Sequence, residues 1–298
     1  MPNPLRRIVD QAWLLMMIPG LLWAGNAIVS RAVVGEVPPI ALAFWRWTLG
    51  TLVILPFAWP YLRRDMPGLR RHWRITALLA VFGIAAFNTC LYQAAQATTA
   101  LNIVLLQSAM PVIIVGIGFL LFRTPVTLFE GLGILVSLAG ALVLMVQGDL
   151  GALQRLQFNH GDVWMMAAVV SYAVYTALLR RRPPVHGLSI LAATFVLGAA
   201  MLLPLYLVES LGGRPLQLTG TALAAISYVT LGPSILAYLC FNRVVVLLGP
   251  NTAGLTVHLV PVFGTVMAVL LLGEQLHLHH GIGFGLIAAG ILLAMRKS

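Results

Sequence analysis

The second half of this sequence repeats the first half at a shift of 150 residues. Without any gap, the shift pairs Cys90 with Cys240 and the dipeptide Pro111-Val112 with Pro261-Val262. The period is far longer than the roughly 20 to 50 residues of solenoid repeats. The sequence therefore predicts a duplicated fold, with one repeat over residues 1–150 and a second over residues 151–298.

Composition and hydropathy predict that both repeats lie in a membrane. The chain is 60% hydrophobic and 9% charged, and its mean hydropathy is +0.96. A helix needs about 20 apolar residues to cross the hydrocarbon core of a bilayer, and runs of that length recur without the alternation of barrel strands. We predict ten transmembrane helices, over residues 12–34, 39–60, 75–96, 98–122, 127–147, 162–181, 188–208, 219–242, 250–273 and 280–296. The first run is too long, and too poor in cleavage signals, for a removed signal peptide.

The net charge of +10 indicates membrane topology rather than nucleic-acid binding. Fourteen Lys and Arg residues fall on the side of the N-terminus, whereas Arg31, Arg155 and Arg214 fall on the other side. The positive-inside rule then places both termini in the cytoplasm. Because each half holds five helices, an odd number, the second repeat enters the membrane in the opposite orientation. The sequence predicts an all-α integral membrane protein of two inverted five-helix repeats, in which a substrate site lies near the midplane.

Polar and aromatic residues recur on single faces of several predicted helices. Asn88 and Tyr92 are four residues apart, as are Tyr238 and Asn242, and the 150-residue shift pairs Asn88 with Tyr238 and Tyr92 with Asn242. Polar side chains facing lipid are costly, so these residues point into the bundle. Any one of them could serve only as a hydrogen bond between helices, but the set as a whole favours a substrate cavity. The predicted lining residues are Trp23, Asn26, Arg46, Asn88, Tyr92, Gln107, Ser108, Tyr172, Tyr175, Tyr238, Asn242 and His258.

Pro111 and Pro261 lie inside predicted helices and lack the N–H of a helical hydrogen bond. They are predicted to kink these helices and to release the carbonyls of Gln107 and Val257. A released carbonyl can bind an ammonium group or water, and a plain packing kink is the alternative. The spacing of Gly281 and Gly285 predicts close packing against another helix.

Ionisable residues inside the predicted helices are few. Arg46 can extend to the interface, pair with a carbonyl, or meet a substrate carboxylate. His258 can be a cavity donor or a protonation switch. All eight acidic residues are predicted in loops or at helix ends, with no carboxylate buried. This pattern predicts transport without coupling through an intramembrane carboxylate.

The segments 100–122 and 250–276 resemble the EamA repeat of the drug/metabolite transporter superfamily. The Pro-Val pairs, Arg46 and Gly273-Glu274 carry the resemblance, which spans the chain, although Arg123-Thr124 stands in the first repeat where the second has Gly273-Glu274. The whole sequence looks most like the bacterial aromatic amino acid exporters of the YddG type. The resemblance implies a bacterial inner-membrane exporter of aromatic and other neutral amino acids that works by alternating access. It also implies that cationic drugs such as quaternary ammonium compounds are carried.

An intramembrane enzyme, a lipid flippase and a passive channel are the alternatives to an exporter. An intramembrane enzyme would need a catalytic constellation that the sequence lacks, whereas a lipid flippase or a passive channel could share the architecture. His277, His279 and His280 resemble a metal cluster, but only Glu274 is near them in the sequence. We therefore predict no metal and no cofactor, and expect a small-molecule substrate and membrane lipid, but no nucleic acid, as partners.

Overall fold

A computed structural model describes residues 11–146, 159–272 and 275–296, and in these ranges the chain is helical without any strand. We label the ten helices of the described residues α1 to α10 in chain order. They are α1 Ala12–Ala32, α2 Pro39–Arg71, α3 Trp73–Ala97, α4 Ala100–Ser108 continued by Met110–Phe122, α5 Leu128–Met145, α6 His160–Arg181, α7 Gly187–Leu211, α8 220–248, α9 250–272 and α10 Leu278–Ala294. The predicted all-helical membrane fold is confirmed.

Gly249 separates α8 from α9. The helical run Gly220–Leu270 is 51 residues long, about twice the length that a bilayer needs. Gly249 interrupts it with φ 81° and ψ 167°, a backbone conformation open almost only to glycine. Because the chain turns there, the run makes two membrane crossings, as predicted.

Helix α2 is longer than predicted. The sequence predicts that α2 ends at residue 60 and that residues 61–74 form a connection. The helix instead continues to Arg71 and includes Pro56, Pro60 and Pro67. A tertiary contact supports the extension, because Asp65 accepts hydrogen bonds from the His186 N–H and the Ser189 hydroxyl, both at 2.8 Å. The start of α7 thus fixes the end of α2.

The opposite ends of the same two helices are joined in the same way. Glu209, near the end of α7, accepts hydrogen bonds from the N–H groups of Ile40 at 3.2 Å and Ala41 at 2.7 Å, at the start of α2. A carboxylate at a helix N-terminus satisfies free N–H groups and meets the positive end of the helix dipole. Each helix of the pair therefore caps the other.

The helix pairs that pack together show the symmetry of the two repeats. Helix α2 packs on α7 and α5 packs on α10, while α1 contacts α8 and α9, and α6 contacts α3 and α4. Exchanging helices α1–α5 with α6–α10 turns this set of pairs into itself. An exchange of that kind is expected of two inverted five-helix repeats.

Glycines allow α5 and α10 to cross closely. A Cβ atom built on Gly133 would lie 2.5 Å from the Gly290 carbonyl oxygen, and one on Gly140 would lie 2.8 Å from the Gly283 carbonyl oxygen. The 150-residue shift relates these two contacts to each other. The close packing predicted for Gly281 and Gly285 is wrong, because a Cβ on either would meet nothing within 4 Å; both lie on the outer face of α10.

Candidate functional site

A cavity of about 440 Å³ lies between α1, α3, α4 and α9. Its volume is within the range of about 300–1,000 Å³ that is usual for small-molecule sites. The exposed part of its wall includes Ile28 and Arg31, near the C-terminal end of α1. The cavity is therefore reached from the side of the membrane opposite the start of α1. The predicted residues that line it are Trp23, Asn26, Arg46, Asn88, Gln107, Tyr172, Tyr238 and Pro261.

Aromatic rings close the inner end of the cavity. The Trp23 ring centroid lies 5.7 Å from that of Tyr172 and 6.5 Å from that of Tyr238, both edge to face, and 5.3 Å from that of Phe241. Such geometries are the favoured ones for aromatic pairs. The rings come from α1, α6 and α8, so helices of both repeats build this aromatic floor.

Two π-helical segments orient the aromatic floor. Val81–Ala86 in α3 and Thr230–Leu236 in α8 are equivalent by the 150-residue shift. In a π-helical turn some carbonyls lose their usual donor, and two here accept side-chain bonds instead. Tyr238 donates to the Gly83 carbonyl at 2.5 Å, and Trp23 Nε1 donates to the Pro233 carbonyl at 3.4 Å. The sequence did not predict these two π-helical segments.

Arg46 is buried at the edge of the cavity, with 2% of its surface exposed. Nε donates to Ser234 Oγ at 2.7 Å, Nη1 donates to Asn88 Oδ1 at 3.0 Å and to the Tyr92 hydroxyl, and Asn26 Oδ1 lies 3.4 Å from Nη1. The predicted alternatives of reaching the interface and of pairing with a carbonyl do not hold, because side chains of α1, α3 and α8 enclose the guanidinium.

Among the described residues, no carboxylate pairs with the charge of Arg46. Within the part of the chain that the structure describes, the one ion pair joins Arg64 to Asp65. The hydrogen bonds of Arg46 use Nε and Nη1 and leave Nη2 unused, on a residue that lines the cavity. Buried charges in membranes are costly and mark sites of function. A bound anion would supply the missing partner.

Tyr172 lines the cavity, but its hydroxyl is buried away from the cavity surface. This hydroxyl makes no hydrogen bond to any described residue, although buried polar groups are nearly always paired. Arg31 also lines the cavity and donates to the Ala95 carbonyl at 2.9 Å. From the sequence, Arg31 is predicted only as a determinant of membrane topology, because its position at a helix end does not indicate a cavity.

Tyr92, Tyr175 and Asn242 do not line the cavity. Tyr92 lies behind Arg46 and donates to Asn26 Oδ1 at 3.3 Å. Tyr175 donates to Asn242 Oδ1 at 2.7 Å, below the aromatic floor. These side chains bind each other instead of facing the cavity, and the alternative of hydrogen bonding between helices describes their contacts.

Ser108 and His258 also lie outside the cavity wall. His258 is fully buried, with its Nδ1 2.7 Å from Ser137 Oγ and its Nε2 2.9 Å from the Ser108 carbonyl oxygen. The Ser108 hydroxyl donates to the Val104 carbonyl at 2.9 Å. Both ring nitrogens of His258 are thus occupied within the protein, so the predicted role of cavity donor does not hold.

The two prolines follow breaks in their helices. Helix α4 is interrupted at Ala109, just before Pro111, and α9 has a 3₁₀ turn, Leu255–His258, just before Pro261. At the break in α4 the Ala109 N–H donates to the Leu106 carbonyl at 3.2 Å, so release of the Gln107 and Val257 carbonyls stays a prediction. Pro261 lines the cavity, whereas Pro111 packs against Gly254.

Among the described acidic residues, Asp162 is buried, contrary to prediction. Asp162 lies at the start of α6, as expected, but only 4% of its surface is exposed. Its Oδ1 accepts from the Thr98 hydroxyl at 2.5 Å and from Asn102 Nδ2 at 3.0 Å, and its Oδ2 accepts from the Asn159 N–H at 2.7 Å. The turn between α3 and α4, the first turn of α4 and the N-cap of α6 supply these polar partners, and such pairing makes the burial tolerable. Asp162 does not line the cavity.

Two predicted features lie outside the described residues. They are Gly273-Glu274 and the boundary between residues 150 and 151. Near the first, the Nε2 atoms of His279 and His280 are 3.1 Å apart. Within the described ranges, no three His, Cys, Asp or Glu side chains are grouped to hold a metal ion.

Comparison with known proteins agrees with this architecture. The chain is 26% identical to an uncharacterized transporter of Archaeoglobus fulgidus, over 95% of this chain and 97% of that protein. It is also 26% identical to the uncharacterized transporter YyaM of Bacillus subtilis, over 89% of this chain and 87% of that protein. A crystal structure with 23% identity superposes with a TM-score of 0.74 and covers 95% of this chain and 96% of the other; it supports the fold.

The sequence profile of the EamA-like transporter family matches the chain twice, over residues 11–146 and 159–296. Each match covers the described helices of one repeat. The chain belongs to the EamA-like transporter family and is a multi-pass membrane transporter rather than an enzyme.

Proposed function

We propose that this transporter exports aromatic and other neutral amino acids across the bacterial inner membrane by alternating access. The observation that carries the proposal is the presence, in one cavity, of a floor of aromatic rings and a buried arginine that has no carboxylate partner among the described residues. A free amino acid has the complementary groups, a carboxylate for the guanidinium and a side chain for the rings.

The orientation of a bound amino acid follows from the cavity wall. The carboxylate meets Nη2 of Arg46, and an aromatic side chain packs against Trp23 and Phe87. The ammonium group rests on the negative face of a ring, an interaction of about 0.5 to 2 kcal/mol. Quaternary ammonium compounds could use the same rings, but the arginines at 31 and 46 disfavour them because like charges repel.

The distribution of arginines supports an orientation with both termini in the cytoplasm. Arg63, Arg64, Arg123, Arg180 and Arg243 are on the side of the start of α1, and Arg31 and Arg214 are on the other. By the positive-inside rule the cavity then opens to the periplasm. Relative motion of the repeats 1–150 and 151–298 would close this side and open the other.

Counterflow of labelled L-phenylalanine in proteoliposomes tests the proposal. We expect saturable counterflow that falls at least tenfold in Trp23→Ala and in Tyr238→Ala, because each change removes part of the aromatic floor. Trp164→Ala is the matched control, since Trp164 lies on the outer side of α6 with 44% of its surface exposed. Unchanged counterflow in both floor variants would rule out this site.

The same vesicles separate the other transporter classes. A passive channel gives flux that does not saturate and no counterflow. A lipid flippase moves a fluorescent phospholipid between leaflets and ignores phenylalanine. Either result would replace amino acid export as the function.

A further inference from the structure

We propose that the cavity recognises a carboxylate group as its main anchor, so that it also accepts aromatic carboxylates that have no α-ammonium group. The inference rests on the site used in the proposed function and extends its substrate class. It places arylalkanoate anions, together with aromatic amino acids, among the ligands of the transporter.

The charge of the cavity wall favours a carboxylate over an ammonium group. Arg31 and Arg46 line the cavity, and no acidic residue is among the described residues that line it. A zwitterion brings a carboxylate that the two arginines attract and an ammonium group that they repel, so that its contact with a ring face is offset. An anion of the same size and shape brings only the carboxylate. The ammonium group is therefore dispensable for binding.

An unused donor of Arg46 also favours a carboxylate. Nη2 makes no hydrogen bond to a described residue, and Arg46 lines the cavity. A carboxylate in the cavity can accept a charge-assisted hydrogen bond from this nitrogen. An amine without a carboxylate leaves this nitrogen unsatisfied.

The apolar part of the cavity wall determines which carboxylates the cavity prefers. Phe87, Leu91, Ile103 and Met110 line the cavity between the arginines and α9. A small hydrophilic anion such as acetate would leave this surface uncovered, whereas a phenyl ring would bury it at about 25 cal/mol per Å². The preferred anion thus carries an aromatic or branched apolar group.

Binding of matched ligands to the purified full-length protein in nanodiscs, measured by isothermal titration calorimetry, tests the inference. The probes are 3-phenylpropionate, which has the carboxylate alone, phenethylamine, which has the ammonium alone, and L-phenylalanine, which has both. We expect 3-phenylpropionate to bind within about threefold of L-phenylalanine, and phenethylamine to bind at least tenfold more weakly. Binding in nanodiscs avoids the passive permeation of these weak acids and bases.

Arg46→Gln removes the buried charge and the free Nη2, and it should weaken 3-phenylpropionate binding at least tenfold, in line with one hydrogen bond to a charged group. It should not weaken phenethylamine binding. Arg31→Gln changes an exposed residue of the cavity wall, so this variant is expected to fold, and it should weaken 3-phenylpropionate binding about threefold. Tyr206→Phe is the control, since Tyr206 stacks on Phe44 outside the cavity.

The outcomes separate this inference from the proposed function. Phenethylamine binding as tightly as 3-phenylpropionate, or Arg31→Gln and Arg46→Gln variants that bind 3-phenylpropionate normally, would overturn the carboxylate anchor. Binding of 3-phenylpropionate without any counterflow of L-phenylalanine would uphold the anchor and reject amino acid export. Counterflow of L-phenylalanine without binding of 3-phenylpropionate would uphold export and reject the inference.

Discussion

His258 Nε2 lies 2.9 Å from the carbonyl oxygen of Ser108, the residue at the equivalent position of the other repeat, 150 positions earlier. Because a carbonyl can only accept, Nε2 carries the proton, and the Ser137 hydroxyl donates to Nδ1 at 2.7 Å. Ser108 ends the first part of α4, and His258 ends the 3₁₀ turn of α9. The imidazole therefore joins the two interrupted helices across the pseudo-two-fold axis.

Replacing this imidazole should destabilise the protein. His258→Ala leaves the Ser108 carbonyl and the Ser137 hydroxyl without partners in a fully buried place, which we expect to cost about 3 kcal/mol. Thermal unfolding in detergent should show a lower melting temperature. His160→Ala, at an exposed position, should leave it unchanged. Equal melting temperatures for the two variants would mean that the bridge contributes nothing.

Phenylalanine transport should not need a pH gradient. Neither His258 nor the buried Asp162 lines the cavity, and both are held by protein partners. A substrate in the cavity therefore touches no group that could take up and release a coupled proton. Net uptake of labelled L-phenylalanine down its own concentration gradient, measured with and without an imposed pH gradient, should agree within twofold. A flux that requires the gradient and is lost in His258→Ala or Asp162→Asn would show proton coupling instead.

The fold was predictable because the composition of the chain and the period of its repeat are its main determinants. Apolar runs of membrane length and the 150-residue repeat led to ten helices and to inversion. Details set by tertiary contact were not predictable: α2 continues past residue 60 because Asp65 binds the start of α7. The buried state of Asp162 likewise depends on a turn that the fold brings to it.

The site was predictable in part for a similar reason. Helical spacing identified the inward faces of the helices, and Trp23, Asn26 and Tyr238, which were predicted in this way, line the cavity. Spacing does not tell which inward side chains meet a cavity and which meet each other. Tyr175 and Asn242 belong to the second kind, since they form a direct hydrogen bond.

The crossing of α5 and α10 should tolerate no side chain at its glycines. A Cβ on Gly290 would lie 2.5 Å from the Gly133 carbonyl oxygen and from the Ser137 backbone nitrogen, so the helices must separate to admit it. We expect Gly290→Ala to cost about 2 kcal/mol and to lower the melting temperature in detergent. Gly285→Ala, on the same helix with nothing within 4 Å, is the control and should be neutral or slightly stabilising. Equal effects of the two substitutions would contradict the close crossing.

Two hydrogen-bonded pairs of an amide and a phenol mark the open and the closed side of the transporter. Tyr92 donates to Asn26 at 3.3 Å between α3 and α1, and Tyr175 donates to Asn242 at 2.7 Å between α6 and α8. Shifts of 149 and 150 residues relate Asn26 to Tyr175 and Tyr92 to Asn242, so each pair is the counterpart of the other. The pair on the closed side is the shorter one. Asn26, in the other pair, lines the open cavity.

Tyr175→Phe should therefore favour opening of the closed side. Loss of this hydrogen bond removes about 1 kcal/mol from the closed state, which corresponds to about a fivefold rise in the population open on that side. Cys240, two residues before Asn242 and 7% exposed, reports on this opening in a Cys90→Ala background, where it is the only cysteine of the chain. Its alkylation by a maleimide should be about fivefold faster in Tyr175→Phe and unchanged in the control Tyr61→Phe, whose ring stacks on His186 far from the floor. An unaltered rate in Tyr175→Phe would show that the aromatic floor alone, without the Tyr175–Asn242 bond, keeps this side closed.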